Sequence, residues 1–414
     1  MTLDTLRTDA DRLWATLSET ARFGATGRGG LARLALGPAD GQVRDWLVAE
    51  ATALGCTVQV DPIGNIFATR AGSDPGRAPV ACGSHLDTQP TGGRFDGILG
   101  VLAGLEVLRT LARHDVATAA PITLINWTNE EGSRFAPGLI GSSVHLGLLD
   151  LETALALHDG DGATMGGCLA EIGYAGSAPL GPWDFDSYFE LHIEQGPVLE
   201  AGGLTIGVVT GAQGMRWYDI AVKGAGGHAG TVPMALRHDA MVAAADLVGR
   251  IRTLATARNR PAVATVGRIE IPGASRNTIP ASALLTLDVR HPEAETLDAI
   301  EAGLAEVASQ VGEAHGVRVE FGRVSNSPPV AFDPTCVGAV RTAALRCGYR
   351  HADIVSGAGH DACAVAGFLP TGMIFVPCKD GVSHQEHEDM TREDAAAGAD
   401  VLLHAVLARA GVAA

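Results

Sequence analysis

The fold is decided by one stretch of sequence, Gly83-Ser-His-Leu-Asp-Thr-Gln-Pro-Thr-Gly-Gly-Arg-Phe-Asp-Gly97. The short apolar segment 78–82 before it predicts a buried strand, and the leucine-rich pattern after it predicts a helix. His85, Asp87 and Asp96 are therefore expected where a strand ends and a helix begins, which is the edge of an α/β sheet at which ligands bind. Imidazole and carboxylate ligands together suit Zn, Mn, Co or Ni. A capped loop histidine is the structural alternative for this stretch taken alone, and the rest of the chain strengthens the metal hypothesis.

Strands and helices alternate on both sides of this stretch, which predicts an α/β domain with a mostly parallel sheet. Further buried strands are predicted at 121–127, 187–193 and 371–376. From about residue 212 the predicted order becomes β-α-β-β-α-β, which is the ferredoxin-like order. A chain of 414 residues exceeds the length at which single cores stop growing. We therefore expect two domains, the first at 1–211 and 329–414 and the second inserted at 212–328.

Helices are also predicted outside the central stretch. An amphipathic pattern predicts a helix at 3–19, and a second apolar pattern predicts a helix at 232–256 in the inserted domain. Apolar periodicity alone sets the predicted ends of both helices.

The composition excludes several classes of partner. The 30 basic and 47 acidic residues give a formal net charge of −17, which argues against binding to nucleic acid or to an anionic membrane surface. The sequence has no apolar run of about 18 residues and no apolar signal-peptide core at its start. Its seven cysteines include no CxxC pair, so neither a disulfide framework nor a thiolate zinc site is expected. A cytoplasmic protein fits these features.

Three further groups of polar residues follow predicted strands. Glu130 and Glu131 follow the strand at 121–127, His192 lies near the end of the next, and His384 lies after the last. Adjacent carboxylates repel each other unless a cation or a shared proton offsets the repulsion. A lone Glu-Glu pair would fit a solvated loop, and a lone histidine would fit a structural hydrogen bond. Because these loops end at one edge of the sheet, convergence on a shared site is favoured.

The motifs together resemble the M20-type metallopeptidase superfamily. Within it they resemble the amidase branch that contains N-carbamoyl-L-amino acid hydrolases, β-ureidopropionases and allantoate amidohydrolases. The matching segments are Gly83–Gly100, Asn126–Phe135, Glu190–Glu200, Gly226–Ala240, Asn277–His291 and Ser356–Glu388. The resemblance implies a zinc-peptidase-like catalytic domain with an inserted ferredoxin-like dimerisation or lid domain.

The resemblance also implies a binuclear centre with two divalent ions per subunit, Zn, Mn, Co or Ni. The implied ligands are His85, Asp96, Glu131, His192 and His384. Asp96 would bridge the ions, with His85 and His192 on different ions. Asp87 would orient the imidazole of His85, and Glu130 would be the general base.

One motif departs from the family pattern. The usual Ser-His-x-Pro-x-Glu is present as Ser383-His-Gln-Glu-His-Glu388, with Glu386 in place of proline. His387 could be mistaken for the ligand, but the position after Gly-Val-Ser favours His384.

The resemblance further implies residues that act on the substrate. His228 would donate to the oxyanion, and in relatives this histidine reaches into the active site of the partner in a homodimer. Gln195, Asn277 and His360 match positions that contact substrate in relatives, and Arg290 could pair with a substrate carboxylate. A turn histidine is the structural alternative for His228, and a surface salt bridge is the alternative for Arg290.

The expected activity is hydrolysis of an N-carbamoyl amino acid, either an L-amino acid or β-alanine derivative, to the amino acid, ammonia and carbon dioxide. Allantoate amidohydrolase is the alternative enzyme, and an M20 peptidase or aminoacylase is a more distant one. A non-catalytic binding protein would be expected to have lost a ligand or the base, yet Glu130 and all five implied ligands are present. The partners expected are therefore a small carbamoyl or ureido substrate with a carboxylate and a second copy of the chain, without nucleic acid or membrane.

Overall fold

The computed structural model describes residues 3–181, 184–257 and 262–413. They divide into two compact units. Unit 1 contains the residues up to Thr210 and from Ala331 onward, and unit 2 contains Gly211–Val330.

The described residues contain fifteen strands and twelve α-helices. The strands are β1 Thr57–Val60, β2 Ile66–Arg70, β3 Val80–His85, β4 Ile122–Trp127, β5 Ser187–Ile193, β6 Ile206–Ala212, β7 Gly214–Lys223, β8 Gly227–His228, β9 Val263–Glu270, β10 Thr278–Ile279, β11 Ser282–His291, β12 Arg318–Ser327, β13 Val330–Ala331, β14 His351–Ser356 and β15 Thr371–Val376. The helices are α1 Ala10–Thr20, α2 Pro38–Ala53, α3 Ile98–Arg113, α4 Ile140–His145, α5 Leu151–Leu155, α6 Met165–Glu171, α7 Val198–Gly202, α8 Ala240–Thr256, α9 Ala294–His315, α10 Pro334–Cys347, α11 Asp361–Val365 and α12 Arg392–Ala410.

Unit 1 is built on a nine-stranded sheet with the order β1-β2-β4-β3-β5-β15-β6-β13, in which β14 also pairs with β6. The four central strands β4, β3, β5 and β15 run parallel, whereas β2 and β6 run antiparallel to their neighbours in that core. The sheet is therefore mixed at its margins and parallel at its centre. Because parallel strands end at the same edge, the loops that follow the four central strands start side by side.

The core of unit 1 is formed by fully buried strands and by two central helices. Every residue of β3, β4, β5 and β15 is buried, which fits their continuous apolar sequences. Helices α3 and α12 pack against each other and against β3 and β5. Helix α3 also buries Glu106, whose carboxylate accepts hydrogen bonds from the Arg12 guanidinium at 2.6 and 2.8 Å. The predicted central strand-loop-helix is thus observed around the stretch 83–97.

The helices predicted at 3–19 and 232–256 both begin later than the sequence pattern indicates. The helix predicted at 3–19 begins at Ala10, because the Asp9 carboxylate accepts the N–H of Arg12 and caps the first turn. The helix predicted at 232–256 begins at Ala240, where Asp239 caps the N–H groups of Met241 and Val242. A side-chain cap therefore decided each start, although the apolar periodicity extends beyond it.

Unit 2 contains a four-stranded antiparallel sheet with the order β12-β7-β11-β9. Its main elements follow the order β7-α8-β9-β11-α9-β12. Apolar side chains of α8 and α9, such as Leu247 and Leu304, share one buried cluster with the inward-facing residues of β7 and β11. A separate two-stranded ladder joins β8 to β10. In the described parts of both units, no helix has the length and apolar character that crossing a membrane requires.

A glycine tests how tightly the central strands pack. A Cβ added at Gly83 of β3 would lie 2.0 Å from the Ile125 carbonyl oxygen of β4, so the two strands would have to separate. We expect Gly83→Ala to lower the melting temperature strongly or to prevent folding, because overpacking of this kind costs about 1–3 kcal/mol or more. Gly338 of α10 is the control, since a Cβ there meets nothing within 4 Å. Gly338→Ala should be neutral or stabilising by up to about 1 kcal/mol. Equal melting temperatures for both variants would contradict the close strand packing.

Candidate metal centre

The loops after the four central strands bring the predicted site residues of unit 1 together. His85 is the last residue of β3, and His192 is the penultimate residue of β5. Glu130 and Glu131 lie in the loop after β4, and His384 lies in the loop after β15. These positions share one sheet edge because the four strands run parallel.

The first group of candidate ligands contains His85, Asp96 and His192, whose ligating atoms all lie within 4.8 Å of one another. Both imidazoles are held in the same way. His85 Nδ1 lies 2.9 Å from the Asp87 carbonyl oxygen, and His192 Nδ1 lies 2.9 Å from the Ile193 carbonyl oxygen. An Nδ1–H that donates to a carbonyl leaves Nε2 to face the acidic group. The Nε2 atoms lie 3.9 and 3.1 Å from Asp96 Oδ1.

The second group contains Asp96, Glu131 and His384, again within 4.8 Å of one another. His384 Nε2 lies 3.3 Å from Asp96 Oδ2 and 3.5 Å from Glu131 Oε2. Glu131 Oε2 also accepts a hydrogen bond from Gln89 at 2.7 Å. The other oxygen, Glu131 Oε1, is buried without a hydrogen-bond partner among the described residues.

Asp96 is the only residue shared by the two groups found among the described residues. Its Oδ1 faces His85 and His192, and its Oδ2 faces His384. A carboxylate that offers one oxygen to each group has the geometry of a bridge.

The pairing of the histidines corrects one expectation. His85 and His192 were expected on different ions, but the structure places both in the group that uses Asp96 Oδ1. The reason is the strand order. Because β3 and β5 are adjacent and parallel, the two histidines at their ends lie side by side. Glu131 and His384 come from loops after the outer two of the four strands and meet at Asp96 Oδ2.

Burial and mutual charge set the electrostatics of the site. Burial lowers the pKa of His85 to about 4, so this imidazole is neutral near pH 7. Burial and the charge of Asp96 raise the pKa of Glu131 to about 8. Burial also acts to raise the pKa of Asp96, but hydrogen bonds from His192 and His384 hold it well below its usual value. For His192 burial is outweighed by the Asp96 hydrogen bond, and the pKa rises to about 9. The same hydrogen bond raises the pKa of His384 to about 9.

These properties fit divalent cations. Three imidazoles and two carboxylates form the donor set, which is the nitrogen and oxygen chemistry that Zn and related metals bind. Glu131 Oε1 is a buried acceptor that no residue in the described part of the chain satisfies. Because hydrogen bonds to Asp96 raise the pKa of His192 and His384 to about 9, a bound cation would have to displace a proton from each ring at neutral pH.

Asp87 acts on two neighbours. Its carboxylate lies 3.9 Å from His85 Nδ1, so the nearer contact to this histidine is its own backbone carbonyl. The carboxylate oxygens accept the backbone N–H groups of Glu130 and Glu131 at 3.3 Å each. Asp87 thereby fixes the loop of Glu130 and Glu131 as well as the His85 ring. The contact with the His85 ring was predicted, whereas the contact with the acidic loop has no signal in the sequence.

Glu130 lies beside the two groups without belonging to either. Its Oε2 is 3.5 Å from His85 Nε2. Burial raises its pKa well above the usual value, and the negative charges of Asp361, Glu131 and Asp87 raise it further. A buried carboxyl with a raised pKa that is not itself a ligand is suited to take up and release a proton.

Gln195 and His360, both predicted to bind substrate, lie at the same edge. Gln195 Nε2 donates to Asp96 Oδ2 at 2.9 Å, and its Oε1 is buried without a partner among the described residues. The His360 ring lies 4.5 Å from that of His192, and its Nε2 lies 3.0 Å from Ser356 Oγ. His387, the alternative ligand, is exposed and belongs to neither ligand group.

The loops around Asp96 contain strained backbone. Asn129, Gln195 and His384 all have φ between 57° and 58°, in the left-handed region. Such conformations cost about 1–3 kcal/mol each and persist where the surroundings hold them. They cluster here at the residues that approach the acidic group.

The other three predicted site residues belong to unit 2. His228 of β8 pairs with Thr278 of β10, and Ala229 N–H donates to the Asn277 carbonyl at 2.8 Å, so His228 and Asn277 are neighbours. His228 Nδ1 accepts the N–H of Gly230 at 3.1 Å, which leaves Nε2–H as a donor in the neutral ring. Arg290 is the penultimate residue of β11, is 30% exposed and pairs with Asp288 at 2.8 Å.

The sequence motifs missed several residues that support the site. Gln89 holds Glu131, while Ser383 and Glu388 contact the Asp96 loop. Each lies inside a quoted motif, but its partner comes from a distant part of the chain, so only the tertiary structure reveals the role.

Comparison with known proteins places the chain in a family. The sequence model of Peptidase family M20/M25/M40 matches residues 81–408, and the chain belongs to this family, as the motifs predicted. An N-carbamoyl-L-amino-acid amidohydrolase of Rhizobium meliloti is 45% identical over 406 residues, which cover 98% of each chain. A crystal structure of an amidase of the hydantoinase/carbamoylase family from Burkholderia multivorans has a TM-score of 0.96 and 50% identity, covering 98% of this chain and 99% of that one. A ureidoglycolate hydrolase of Arabidopsis thaliana is 32% identical over 408 residues, covering 96% of this chain and 86% of that one.

The protonation of His192 and His384 predicts how metal binding depends on pH. A ligand imidazole must be neutral, and below pH 9 each of these rings holds a proton that a metal must displace. Raising the pH therefore favours binding. Between pH 6 and 8 the affinity of the first group should rise about tenfold per pH unit, since only His192 must lose a proton. The affinity of the second group should rise more steeply, because Glu131, with a pKa of about 8, must lose a proton as well as His384. Titration with Mn²⁺ at pH 6, 7 and 8 measures this slope. An affinity that is the same at all three values would contradict the involvement of these histidines.

Proposed function

We propose that the protein is a metal-dependent hydrolase of N-carbamoyl-L-amino acids, which it converts to the amino acid, ammonia and carbon dioxide. It is thus an enzyme acting on C–N bonds other than peptide bonds, and the amidohydrolase of Rhizobium meliloti supports this over nearly the full chain. The observation that carries the proposal is Asp96, which offers one oxygen to each of two candidate ligand groups.

The proposed centre would hold two divalent ions, one on His85, His192 and Asp96 and the other on Glu131, His384 and Asp96. When bound, a pair of such ions polarises a carbonyl oxygen and lowers the pKa of water from 15.7 to about 7. The carbonyl of a carbamoyl group is a poor electrophile because both neighbouring nitrogens donate to it, so this activation suits the substrate.

The proton transfers are assigned to Glu130. The attacking water gives its oxygen to the carbamoyl carbon and must lose a proton, and the amine leaving that carbon must gain one. The Glu130 carboxyl lies beside His85, outside both ligand groups, and its pKa is raised by burial and by nearby acids. It can therefore accept the first proton and return it to the leaving nitrogen, and the carbamic acid product loses carbon dioxide.

The binding of the substrate is assigned to Gln195, Asn277, His360 and Arg290. Gln195 has a buried amide oxygen that finds no partner within the described ranges, and this oxygen can accept an N–H of the ureido group. Arg290 is proposed for the substrate carboxylate, for which it would exchange its present partner Asp288.

His228 is proposed to stabilise the oxyanion within a homodimer in which unit 2 makes the interface. Its Nε2–H is set up as a donor by the hydrogen bond at Nδ1, and its side chain is exposed. This supports the donor role independently of the resemblance.

A second candidate substrate is a ureido acid such as ureidoglycolate. The relative from Arabidopsis thaliana is a ureidoglycolate hydrolase, and its match covers 96% of this chain. Carbamoyl amino acids and ureido acids both present an NH–CO–NH₂ group near a carboxylate, so the same residues can act on either. The greater identity of the carbamoylase relative, 45% against 32%, favours the first. Allantoate belongs to the same chemical class and stays an alternative.

A substrate panel tests the proposed activity. Ammonia release by the Mn-loaded protein should be fastest with N-carbamoyl-L-amino acids, slow with their D-enantiomers, and slow with ureidoglycolate and allantoate. N-carbamoyl-β-alanine should be included because it separates an α-amino acid from a β-amino acid preference. Faster turnover of ureidoglycolate than of every carbamoyl compound would overturn the assignment in favour of the second candidate.

The neighbouring glutamates provide a matched pair of variants. Glu130→Gln should keep the metal content and lose about 10²-fold or more in kcat, because the base is removed while the ligands stay. Glu131→Gln should lower metal affinity, because a ligand carboxylate becomes an amide. Metal analysis after dialysis, together with kcat at saturating metal, distinguishes the two. Loss of metal from the Glu130 variant alone would exchange their roles.

A further inference from the structure

Glu388 is a buried carboxylate in the loop that carries His384, and the proposed mechanism gives it no role. It is 2% exposed, although most of the surrounding loop is open to solvent. Its Oε1 accepts the backbone N–H groups of Phe95 and Asp96, each at 3.1 Å. One carboxylate oxygen therefore fixes the backbone from which the shared carboxylate of Asp96 projects.

The second oxygen of Glu388 extends the contact to the Asp96 side chain. Ser383 Oγ lies 3.0 Å from Glu388 Oε2 and also 3.0 Å from Asp96 Oδ2. Gln195 Nε2 donates to the same Asp96 oxygen at 2.9 Å and to Ser383 Oγ at 3.2 Å. The oxygen of Asp96 that faces His384 is thus held by a network that ends on Glu388.

Gly93 shows how closely the two loops approach. A Cβ added at this residue would lie 2.0 Å from Glu388 Oε1 and 2.4 Å from Glu388 Cβ. Only a residue without a side chain leaves room for the carboxylate at this point. The backbone 93–96 therefore wraps around Glu388, and the chain makes this contact between segments that are far apart in sequence.

We propose that Glu388 is a positioning residue that locks the Asp96 loop to the His384 loop and so sets the orientation of the shared carboxylate between the two ligand groups. This role rests on the proposed metal centre. Without Glu388, two buried backbone N–H groups would lose their acceptor, and the loop would have to move to satisfy them. Residues that orient metal ligands in this way commonly change metal affinity by about 10- to 100-fold when removed.

The test uses two variants that break the contact from opposite sides and two that do not. Glu388→Ala removes the acceptor, and Gly93→Ala displaces it. Glu388→Gln keeps an amide oxygen for both N–H groups and can donate to Ser383 Oγ. Asp389→Asn removes one negative charge at the adjacent position. The Asp389 carboxylate is 43% exposed, and its ion pairs with Arg94 at 3.9 Å and Lys379 at 3.8 Å are long.

The measurements are Mn²⁺ affinity, at a temperature where circular dichroism shows each metal-free variant to be folded, and the visible absorption spectrum of the Co²⁺-loaded protein. We expect Glu388→Ala and Gly93→Ala to lose about 10- to 100-fold in Mn²⁺ affinity and to change the Co²⁺ spectrum. The Mn²⁺ affinity of Glu388→Gln should stay within about threefold of wild type, because the amide oxygen can still accept the N–H groups of Phe95 and Asp96 and the amide nitrogen can donate to Ser383 Oγ. The affinity of Asp389→Asn should match that of wild type. The spectrum reports ligand geometry, which a loss of overall stability would not alter.

The outcomes separate this role from the proposed function. Wild-type affinity and an unchanged spectrum in both Glu388→Ala and Gly93→Ala would overturn the positioning role while leaving the metal centre in place. An equal loss in Asp389→Asn would overturn it too, because charge alone would then explain the effect. A wild-type protein that binds no Mn²⁺ would instead overturn the metal centre, and this role with it. If Glu388→Ala does not fold, Gly93→Ala and Glu388→Gln give the same comparison.

Discussion

The site depends on the carboxylate of Asp96. It is buried, yet hydrogen bonds from His192 and His384 hold its pKa well below the usual value, so it stays ionised. Its two oxygens face different sets of ligands. Several of its neighbours are acids as well, and burial raises the pKa of Glu130, Glu131 and Asp87. A cluster of buried carboxylates is costly for the folded protein unless positive charge compensates it. The negative charge buried at this edge of the sheet therefore favours the binding of cations.

The parallel centre of the sheet makes this convergence possible. Four adjacent strands run in one direction, so the loops that follow them begin at one edge of the sheet. Each of these loops contributes at least one polar residue to the site. The buried strands leave little freedom for adjustment, as the contact between Gly83 and Ile125 shows. A rigid sheet with loops of strained backbone at Asn129, Gln195 and His384 is a suitable base for ligands that must stay within a few tenths of an ångström.

Glu386, which occupies the position of the proline in the resembled motif, contacts a distant segment of the chain. The Glu386 carboxylate pairs with Arg28 at 2.8 Å, and a Cβ at Gly30 would lie 2.6 Å from Glu386. The loop after His384 is therefore held against the segment 28–30 by an ion pair and by close packing. These contacts restrain a loop that a proline would stiffen through its fixed φ. The change is compatible with His384 at its position in the second ligand group.

Much of this protein was determined by its sequence alone. The buried strands, the residues at their ends and the membership in the M20 family follow from patterns that are local, because strand periodicity and motif spacing involve residues a few positions apart. The tertiary structure decided which of these residues meet. It paired His85 with His192 because β3 and β5 are neighbours, and it directed the Asp87 carboxylate to the backbone of Glu130 and Glu131. It also brought Glu388 to the N–H groups of the Asp96 loop. Such contacts join segments remote in sequence, and they depend on strand order and loop path, which no local pattern encodes.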